Sequence, residues 1–158
     1  HFIYTYAYLY GIKACCLRFF TVYGPRQRPD LAIHKFIEKI NKAEPIQLYG
    51  DGTSSRDYTY IDDIINGISA AIKYDKSLYE IINIGSGRPI TLAKMINTIE
   101  NALHKKAVIQ YMEKQMGDVE RTCADISKAE AFLQYTPETS FQQGIDKYVA
   151  WLKDNNRL

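Results

Sequence analysis

The sequence predicts an α/β fold, because short apolar runs typical of strands alternate with segments of helical period along its 158 residues. The length suits one domain, and no internal repeat, low-complexity tract or interdomain linker interrupts the alternation. A hydrophobic content of 46% and a charged content of 24% are those of an ordinary globular protein. These observations favour a globular domain built around parallel strands.

The first twenty residues predict a helix followed by a buried strand. HFIYTYAYLY is rich in aromatic residues but lacks the alternation of a strand, and Gly11 follows it as a C-terminal stop, so it is interpreted as the end of a helix. KACCLRFF, residues 13–20, is almost continuously apolar. Such a run predicts a parallel strand that is covered on both faces and needs neighbouring strands.

The next elements are a helix and two extended segments. LAIHKFIEKINKA, residues 31–43, has its apolar residues at helical spacing, and Pro45 ends this helix. IQLYG, residues 46–50, is a short strand that stops at the turn residues DGTSS. YTYI, residues 58–61, predicts a second extended segment.

The middle of the chain returns to the helix and strand alternation. DDIINGISAAIKY has helical period and predicts a helix capped by Asp62 or Asp63. EIINIGSG, residues 80–87, is an apolar strand with a glycine turn, and Thr91 opens the helix TLAKMINTIENALHK. VIQYM, residues 108–112, predicts the last strand.

Two capping-box patterns predict the last two helices. Ser127 with Glu130 precedes the helix SKAEAFL, and Ser140 with Gln143 precedes SFQQGIDKYVAWLK. In a capping box the serine and the acidic or amide side chain satisfy free backbone N–H groups at the start of a helix.

Charge and hydropathy exclude two classes of partner. The formal charge of +2 comes from 20 basic and 18 acidic residues without long like-charge blocks, so the sequence lacks the basic patch that nucleic acid requires. No apolar run approaches the roughly 18 residues that a membrane span needs. We therefore expect neither nucleic acid nor a membrane as a partner.

The cysteines and histidines predict no metal site. Cys15, Cys16 and Cys123 are an odd number without paired spacing, and the three histidines are scattered. Cys15 and Cys16 lie in an apolar run and are expected to be buried reduced thiols, which suggests a reducing, cytoplasmic compartment. The N-terminus has neither an initiator Met nor the pattern of a signal peptide.

Several loops carry residues that suit an anionic ligand. GSGRP, residues 85–89, follows a strand and precedes a helix, so it is either a phosphate-binding turn or an ordinary tight turn. Arg26 and Arg28 lie in a loop fixed by two prolines, without a visible partner. No nucleophile elbow and no Tyr-x-x-x-Lys pair is present, so the sequence offers no catalytic residue.

Arg56 and Asp118 are the other polar candidates. Arg56 lies in DGTSSRDYTYIDD between a glycine turn and a strand, where its guanidinium could bind a phosphate or carboxylate. An ion pair with Asp57, Asp62 or Asp63 explains it equally well. Asp118 in MGDVE is either an acceptor for a sugar hydroxyl or a turn residue.

The order of these motifs resembles the C-terminal half of the nucleotide-sugar epimerases and dehydratases, which are extended short-chain dehydrogenases. The resemblance rests on LRFFTVYGPRQRPD, PIQLYGDGTSSRDYTYIDDI, NIGSGRPITL and GDVERTCADISKA, followed by a helix with the single tryptophan. FTVYGPRQRPD is most similar to the UDP-glucuronate 4-epimerases. The similarity covers almost the whole chain.

The resemblance implies the last Rossmann elements of such an enzyme plus its small α/β substrate-binding domain. Residues 1–30 would end the NAD-binding Rossmann domain, and residues 31–158 would form mostly the nucleotide-sugar domain, with some segments returning to the Rossmann sheet. The chain would begin just after the catalytic Tyr-x-x-x-Lys helix, so its missing N-terminal half would be a partner.

The resemblance also assigns roles to ten residues. Phe20 and Val22 correspond to positions that line the nicotinamide end of the NAD site. Of the substrate-binding positions, Thr21 would contact the sugar, Arg28 would face the uronate carboxylate, and Lys35 would be a basic residue near the ligand. The segment Gln47, Leu48 and Tyr49 would lie against the uracil. Arg56 would bind the diphosphate, and Asp118 would accept hydrogen bonds from the ribose hydroxyls.

The implied reaction is the interconversion of UDP-glucuronate and UDP-galacturonate with NAD. It proceeds by oxidation at C4, turnover of the 4-keto sugar and re-reduction. A 4,6-dehydratase or a UDP-glucuronate decarboxylase of the same family is the alternative, and a non-catalytic nucleotide-sugar-binding module is an alternative of another class. By the same resemblance the helix ending at Tyr10 would help form a homodimer, and the chain alone would be inactive.

Overall fold

The computed structural model describes residues 1–158 and contains six helices and eight strands that alternate along the chain. In chain order they are α1 (Phe2–Tyr10), β1 (Ala14–Phe19), β2 (Thr21–Tyr23), α2 (Ala32–Asn41), β3 (Pro45–Tyr49), β4 (Ser55–Arg56), β5 (Tyr58–Tyr60), α3 (Ile61–Ile72), β6 (Tyr79–Ile84), β7 (Ile90–Thr91), α4 (Leu92–Leu103), β8 (Val108–Met112), α5 (Ser127–Leu133) and α6 (Phe141–Asp154).

The strands associate in four pairs, of which three are parallel. β1 pairs with β6, β2 with β5 and β3 with β8 in parallel, whereas β4 and β7 are antiparallel. Parallel neighbours need long connections, and each of these three pairs is joined through at least one helix. The predicted α/β class is confirmed, although the sequence did not predict β2, β4 and β7, which are two or three residues long.

A large core fills the space between α2, α4, α6 and the inner face of β3. Its 15 buried residues include Ile37, Ile46, Ile99 and Ile145, none of which has accessible surface. In β3 burial alternates strictly, with Ile46 and Leu48 buried and their neighbours exposed, because successive side chains point to opposite faces. We call these 15 residues and the elements around them the large core region.

A small core lies beside the β1–β6 pair and has six buried residues, from α3, β6, α5 and the residue Tyr135. We call it, together with α1 and β1, the β1–β6 region. No residue of β1 is fully buried, and Phe19 is exposed. The cover predicted for both faces of this strand is therefore not present within the 158 residues. Cys15 and Cys16 are half-buried rather than buried, and all three cysteines are free.

Helix α1 exposes nearly all its apolar side chains. Ala7 is its one buried residue, while the larger side chains are between 52% and 85% exposed, namely Phe2, Ile3, Tyr4, Tyr6, Tyr8, Leu9 and Tyr10. The predicted C-terminal stop is confirmed, since Gly11 adopts the left-handed conformation with φ of 65°. None of the helices has both the length and the apolar character to cross a bilayer.

Two of the predicted helix caps are confirmed. The Thr91 hydroxyl accepts a hydrogen bond from the Lys94 N–H at 3.2 Å and caps α4. The capping box of α6 is complete, because the Ser140 hydroxyl accepts from the Gln143 N–H at 3.3 Å and the Gln143 side chain accepts from the Ser140 N–H at 2.9 Å.

The other two cap predictions are wrong. Ser127 is the first residue of α5 rather than its cap, and its N–H donates to the Asp125 carboxylate at 3.0 Å. The Asp125 carboxylate, two residues earlier, thus satisfies a free N–H group at the start of α5, which the capping box was expected to do. Asp62 and Asp63 lie in the first turn of α3, and the buried Asp63 carboxylate instead accepts from the backbone ahead of α6, at Glu138 and Thr139.

Candidate functional site

A fully buried carboxylate, that of Asp57, organises the loops at the carboxyl ends of several strands. It accepts hydrogen bonds from the Ser86 N–H at 2.8 Å, the Ser86 hydroxyl at 2.7 Å and the Gly87 N–H at 2.9 Å. The Ala124 N–H at 2.9 Å and the Thr59 hydroxyl at 3.3 Å complete the set. A charge without solvent is tolerated only when hydrogen bonds satisfy it, and five donors do so here.

Asp57 also decides between the two interpretations of GSGRP. The N–H groups of this turn that would bind a phosphate are occupied by the Asp57 carboxylate. A Cβ atom at Gly85 would lie 2.4 Å from the Ala124 side chain, so glycine is required for the close approach of the two segments. The turn is therefore a structural anion site filled from within the protein.

Arg56, next to Asp57, forms an ion pair with Asp118. The distance between Arg56 Nη2 and Asp118 Oδ1 is 2.5 Å, and Arg56 Nη1 donates to the Ser55 carbonyl at 3.0 Å. The alternative ion pair with Asp57, Asp62 or Asp63 is absent, and the Asp57 and Asp63 carboxylates instead accept hydrogen bonds from backbone donors. Two of the predicted ligand-binding residues thus lie in direct contact although 62 positions separate them.

Backbone hydrogen bonds fix the segment after Asp118 against β4. The Ser55 N–H donates to the Glu120 carbonyl at 2.9 Å, and the Thr122 N–H donates to the Ser55 carbonyl at 3.1 Å. The Asp57 N–H donates to the Thr122 hydroxyl at 3.2 Å. Residues 120–124 are therefore attached to both ends of the Ser55–Asp57 segment, which holds Arg56 and Asp118 in register.

A cavity of about 550 Å³ opens beside this pair, at the carboxyl ends of β3 and β8. The volume lies within the range of small-molecule sites, and the carboxyl ends of parallel strands are where ligands bind in open α/β sheets. Two of its eleven lining residues are apolar, and the full set is Tyr49, Gly50, Asp51, Thr53, Ser54, Ser55, Lys114, Asp118, Val119, Glu120 and Arg121.

Hydrogen bonds lower the pKa values of two acidic groups of this cavity, Asp51 and Glu120. Lys114 Nζ lies 2.6 Å from Glu120 Oε1, and this hydrogen bond lowers the pKa of Glu120 and raises the pKa of Lys114. The pKa of Asp51 is lowered chiefly by the hydrogen bond that the Thr53 hydroxyl donates to its carboxylate. The cavity therefore presents fixed charges of both signs, which suits a ligand with a polar anionic part.

The predicted uracil-facing segment divides between the cavity and the core. Tyr49 lines the cavity, and its hydroxyl donates to the Gln47 side chain at 3.1 Å along the exposed face of β3. Leu48 points the opposite way and belongs to the large core. Of the three predicted residues, the side chains of Gln47 and Tyr49 are available to a ligand, and that of Leu48 is not.

The remaining predicted residues lie outside this cavity. Phe20, Thr21 and Val22 are at the carboxyl end of β1, where the Thr21 N–H donates to the Asp57 carbonyl at 3.1 Å. Arg28 lies in the loop after β2 with an ion pair to Asp30 at 3.5 Å, and both side chains are mostly exposed. Lys35 is exposed on α2.

Sequence reasoning missed seven polar residues of the cavity, which are Asp51, Thr53, Ser54, Ser55, Lys114, Glu120 and Arg121. The serines belong to the turn DGTSS, whose small polar residues beside Arg56 were the available signal. Lys114 and Arg121 had none, because long-range contacts place both: the pairing of β3 with β8 brings Lys114 to the site, and the attachment of residues 120–122 to Ser55 brings Arg121.

Three parallel strand pairs packed against helices, with a polar cavity at the carboxyl ends of β3 and β8, define an α/β domain with a candidate ligand site. A family model described as "NAD dependent epimerase/dehydratase family" matches residues 1–85. The chain belongs to this family, and the predicted family resemblance is confirmed.

Several curated relatives of the chain carry the name UDP-glucuronate 4-epimerase. The chain is 46% identical to a UDP-glucuronate 4-epimerase of Thermodesulfobacterium geofontis, over 98% of this chain and 48% of the relative. It is 36% identical to a probable UDP-glucuronate 4-epimerase of Rhizobium meliloti, over 97% of this chain and 50% of the relative. The chain thus spans about half the length of the curated relatives it matches.

Solved structures give the same result for the fold. A UDP-glucuronic acid 4-epimerase from Bacillus cereus, in complex with UDP-glucuronic acid and NAD, superimposes with a TM-score of 0.90 at 38% identity, over 98% of this chain and 50% of that one. A UDP-glucose 4-epimerase from Thermotoga maritima, with UDP-glucose, superimposes with a TM-score of 0.90 at 28% identity, again over 98% and 50%.

Proposed function

We propose that this chain is the substrate-binding part of an NAD-dependent nucleotide-sugar 4-epimerase that interconverts UDP-glucuronate and UDP-galacturonate. The observation that carries the proposal is the Arg56–Asp118 pair beside a polar cavity at the carboxyl ends of β3 and β8. The relatives named above as UDP-glucuronate 4-epimerases support the choice of substrate.

The two members of the pair suit two parts of a UDP moiety. Arg56 offers a planar guanidinium for the diphosphate, while the Asp118 carboxylate can accept hydrogen bonds from the ribose hydroxyls. In this structure each neutralises the other. Binding would therefore exchange one ion pair for an arginine–phosphate contact and a carboxylate–hydroxyl contact.

The uracil would lie along the exposed face of β3. Tyr49 borders the cavity and Gln47 is its hydrogen-bonded neighbour, so an aromatic ring and an amide are both within reach of a base. Leu48 contributes its backbone there, since its side chain is in the core.

Phe20 and Val22 are the residues that would adjoin the nicotinamide. Both are half-buried; Phe20 follows β1 directly and Val22 lies in β2, close to the carboxyl edge of β1, where a parallel sheet binds its cofactor. NAD, when bound, accepts and returns the hydride at C4 of the sugar. This chain orients that end of the site through Thr21, whose N–H is anchored on the Asp57 carbonyl.

The uronate carboxylate is assigned to Thr21 and Arg28, with Lys35 as a further basic residue near the ligand. Arg28 is mostly exposed and pairs only with Asp30, on the same loop, so it can exchange that partner for the substrate. A carboxylate held by a charge-assisted hydrogen bond is kept from the geometry in which a β-keto acid loses CO₂. A neutral hexose would leave the cation without a partner, which favours uronates.

Helix α1 supplies an apolar surface for the assembled enzyme. Phe2, Tyr8 and Leu9 are more than 60% exposed in this chain, so we assign this helix to contacts with the N-terminal half and with a second subunit of a homodimer. The three free cysteines agree with a reducing compartment, and we place the enzyme in the cytoplasm.

The experiment is product analysis by NMR, with full-length protein, NAD⁺ and UDP-glucuronate. We expect UDP-galacturonate as the product, and none from the 158-residue chain alone. Release of CO₂ with a UDP-pentose would identify a decarboxylase, and a product that has lost water would identify a dehydratase. Binding of UDP-glucuronate without any turnover by the full-length protein would identify a binding module.

A further inference from the structure

One cationic side chain of the cavity, Arg121, has no anionic partner. Lys114 is paired with Glu120, and Arg56 is paired with Asp118. Arg121 lines the same cavity and is exposed, yet it takes part in none of the six ion pairs of the molecule. Its guanidinium is therefore free to bind an anion that enters the cavity.

The backbone of Arg121 is fixed although its side chain is free. Arg121 and Ser55 form a parallel bridge, and hydrogen bonds from the Ser55 N–H and the Thr122 N–H flank it on both sides. Ser55 and Arg121 both line the cavity. A cation mounted on a fixed backbone loses less freedom on binding than one on a mobile loop.

The charge of a diphosphate exceeds what Arg56 alone can balance. Arg56 carries one positive charge and shares it with Asp118. The cavity also holds Asp51 and Glu120, whose pKa values are lowered by their hydrogen bonds, so both add negative charge. An anionic ligand in this surrounding needs a second cation that no carboxylate has already neutralised.

We propose that Arg121 is a further substrate-binding residue, which contacts the diphosphate of the nucleotide sugar within the cavity that Asp118 also lines. This inference rests on the proposed function, because it presumes that a UDP-sugar occupies the cavity.

Isothermal titration of the 158-residue chain with uridine, UMP and UDP tests the proposal. Loss of one charge-assisted hydrogen bond in Arg121→Ala is expected to weaken UDP binding about tenfold. Uridine, which lacks a phosphate, should bind both proteins equally. Arg121→Lys keeps the positive charge but lacks the planar guanidinium, so its affinity for UDP should lie between those of the unmodified chain and Arg121→Ala. Increasing salt should weaken UDP binding by the unmodified chain more steeply than binding by Arg121→Ala.

Arg26→Ala is the control, because Arg26 is also exposed and unpaired but lies on the loop after β2, outside the cavity. It should bind UDP as the unmodified chain does. Equal UDP affinity in the unmodified chain and in Arg121→Ala would overturn the role of Arg121 while the proposed function stands. Absence of UDP binding by the unmodified chain would overturn both.

Discussion

The large core region and the β1–β6 region differ in how completely this chain covers their apolar side chains. The first buries 15 core residues between three helices and β3. The second buries six, and beside them α1 leaves Phe2 85% exposed and Tyr8 73% exposed. A helix that is apolar on all sides is normally buried. One region is thus complete in itself, whereas the other has apolar surface that we assign to contacts with the rest of the proposed enzyme.

The proposed ligand site follows the same division. The cavity for the UDP part is formed by loops at the ends of β3 and β8, in the large core region. The residues assigned to the sugar and the nicotinamide, Thr21 and its two neighbours, lie at the end of β1. Nucleotide binding should therefore be a property of this chain, and the chemistry a property of the whole enzyme.

Removing the carboxylate of Asp57 should have the largest effect, because it connects the two regions. Asp57→Ala would leave the N–H groups of Ser86, Gly87 and Ala124 without an acceptor, and those of Ser86 and Ala124 are buried. At about 1–3 kcal/mol for each orphaned donor, with some relaxation, we expect a loss of about 4 kcal/mol in the free energy of unfolding. Urea unfolding measures it.

Asp146→Ala is the matched control for Asp57, since Asp146 is exposed and accepts one hydrogen bond from the Gln142 side chain. It should change the free energy of unfolding by less than about 0.5 kcal/mol. If Asp57→Ala lowered the free energy of unfolding by less than about 1 kcal/mol, the connection between the large core region and the β1–β6 region would not depend on this carboxylate.

A pair of isoleucine substitutions sharpens the contrast between complete and incomplete packing. Ile37→Ala removes a fully buried side chain from the large core and should cost about 3 kcal/mol. Ile3→Ala, on the exposed α1, should cost less than about 0.5 kcal/mol in this chain. In the full-length protein the second cost should rise, because α1 is then covered. Equal costs of Ile3→Ala in both proteins would argue against that cover.

The smallest effect is expected from Arg28→Ala, which leaves both cores untouched. UDP binding by this chain should not change, since Arg28 lies outside the cavity. In the full-length enzyme the variant should lower uronate turnover or increase the share of decarboxylated product, by up to about tenfold for one charge-assisted contact. NMR of the products measures both. Wild-type turnover and product ratio would exclude Arg28 as the carboxylate-binding residue.

The alternation of strands and helices was predictable, because apolar period is a local property of the sequence. The two capping boxes show where local pattern ends. Ser140 with Gln143 forms the predicted capping box. Ser127 with Glu130 does not, because Ser127 is already the first residue of the helix and its N–H donates to the Asp125 carboxylate. The capping-box pattern therefore gave one right and one wrong prediction, and the wrong one lies where Asp125 precedes the helix.

The site was less predictable, because its contacts are long-range. Arg56 and Asp118 were each identified as candidates, but their contact joins positions 62 apart and replaced the expected local ion pair. Asp57 was considered only as a partner for Arg56, whereas its donors lie up to 67 positions away. The roles of Phe20, Val22, Thr21, Arg28 and Lys35 remain predictions from the family resemblance.

Titration of the 158-residue chain with UDP, compared with Arg56→Ala, tests the central claim most directly. The claim is that the large core region carries the nucleotide site without the catalytic half. We predict saturable binding of one UDP per chain, weakened at least tenfold in Arg56→Ala, with the same thermal unfolding midpoint in both proteins. Saturable binding that Arg56→Ala leaves unchanged, or no binding by the folded chain, would contradict this account.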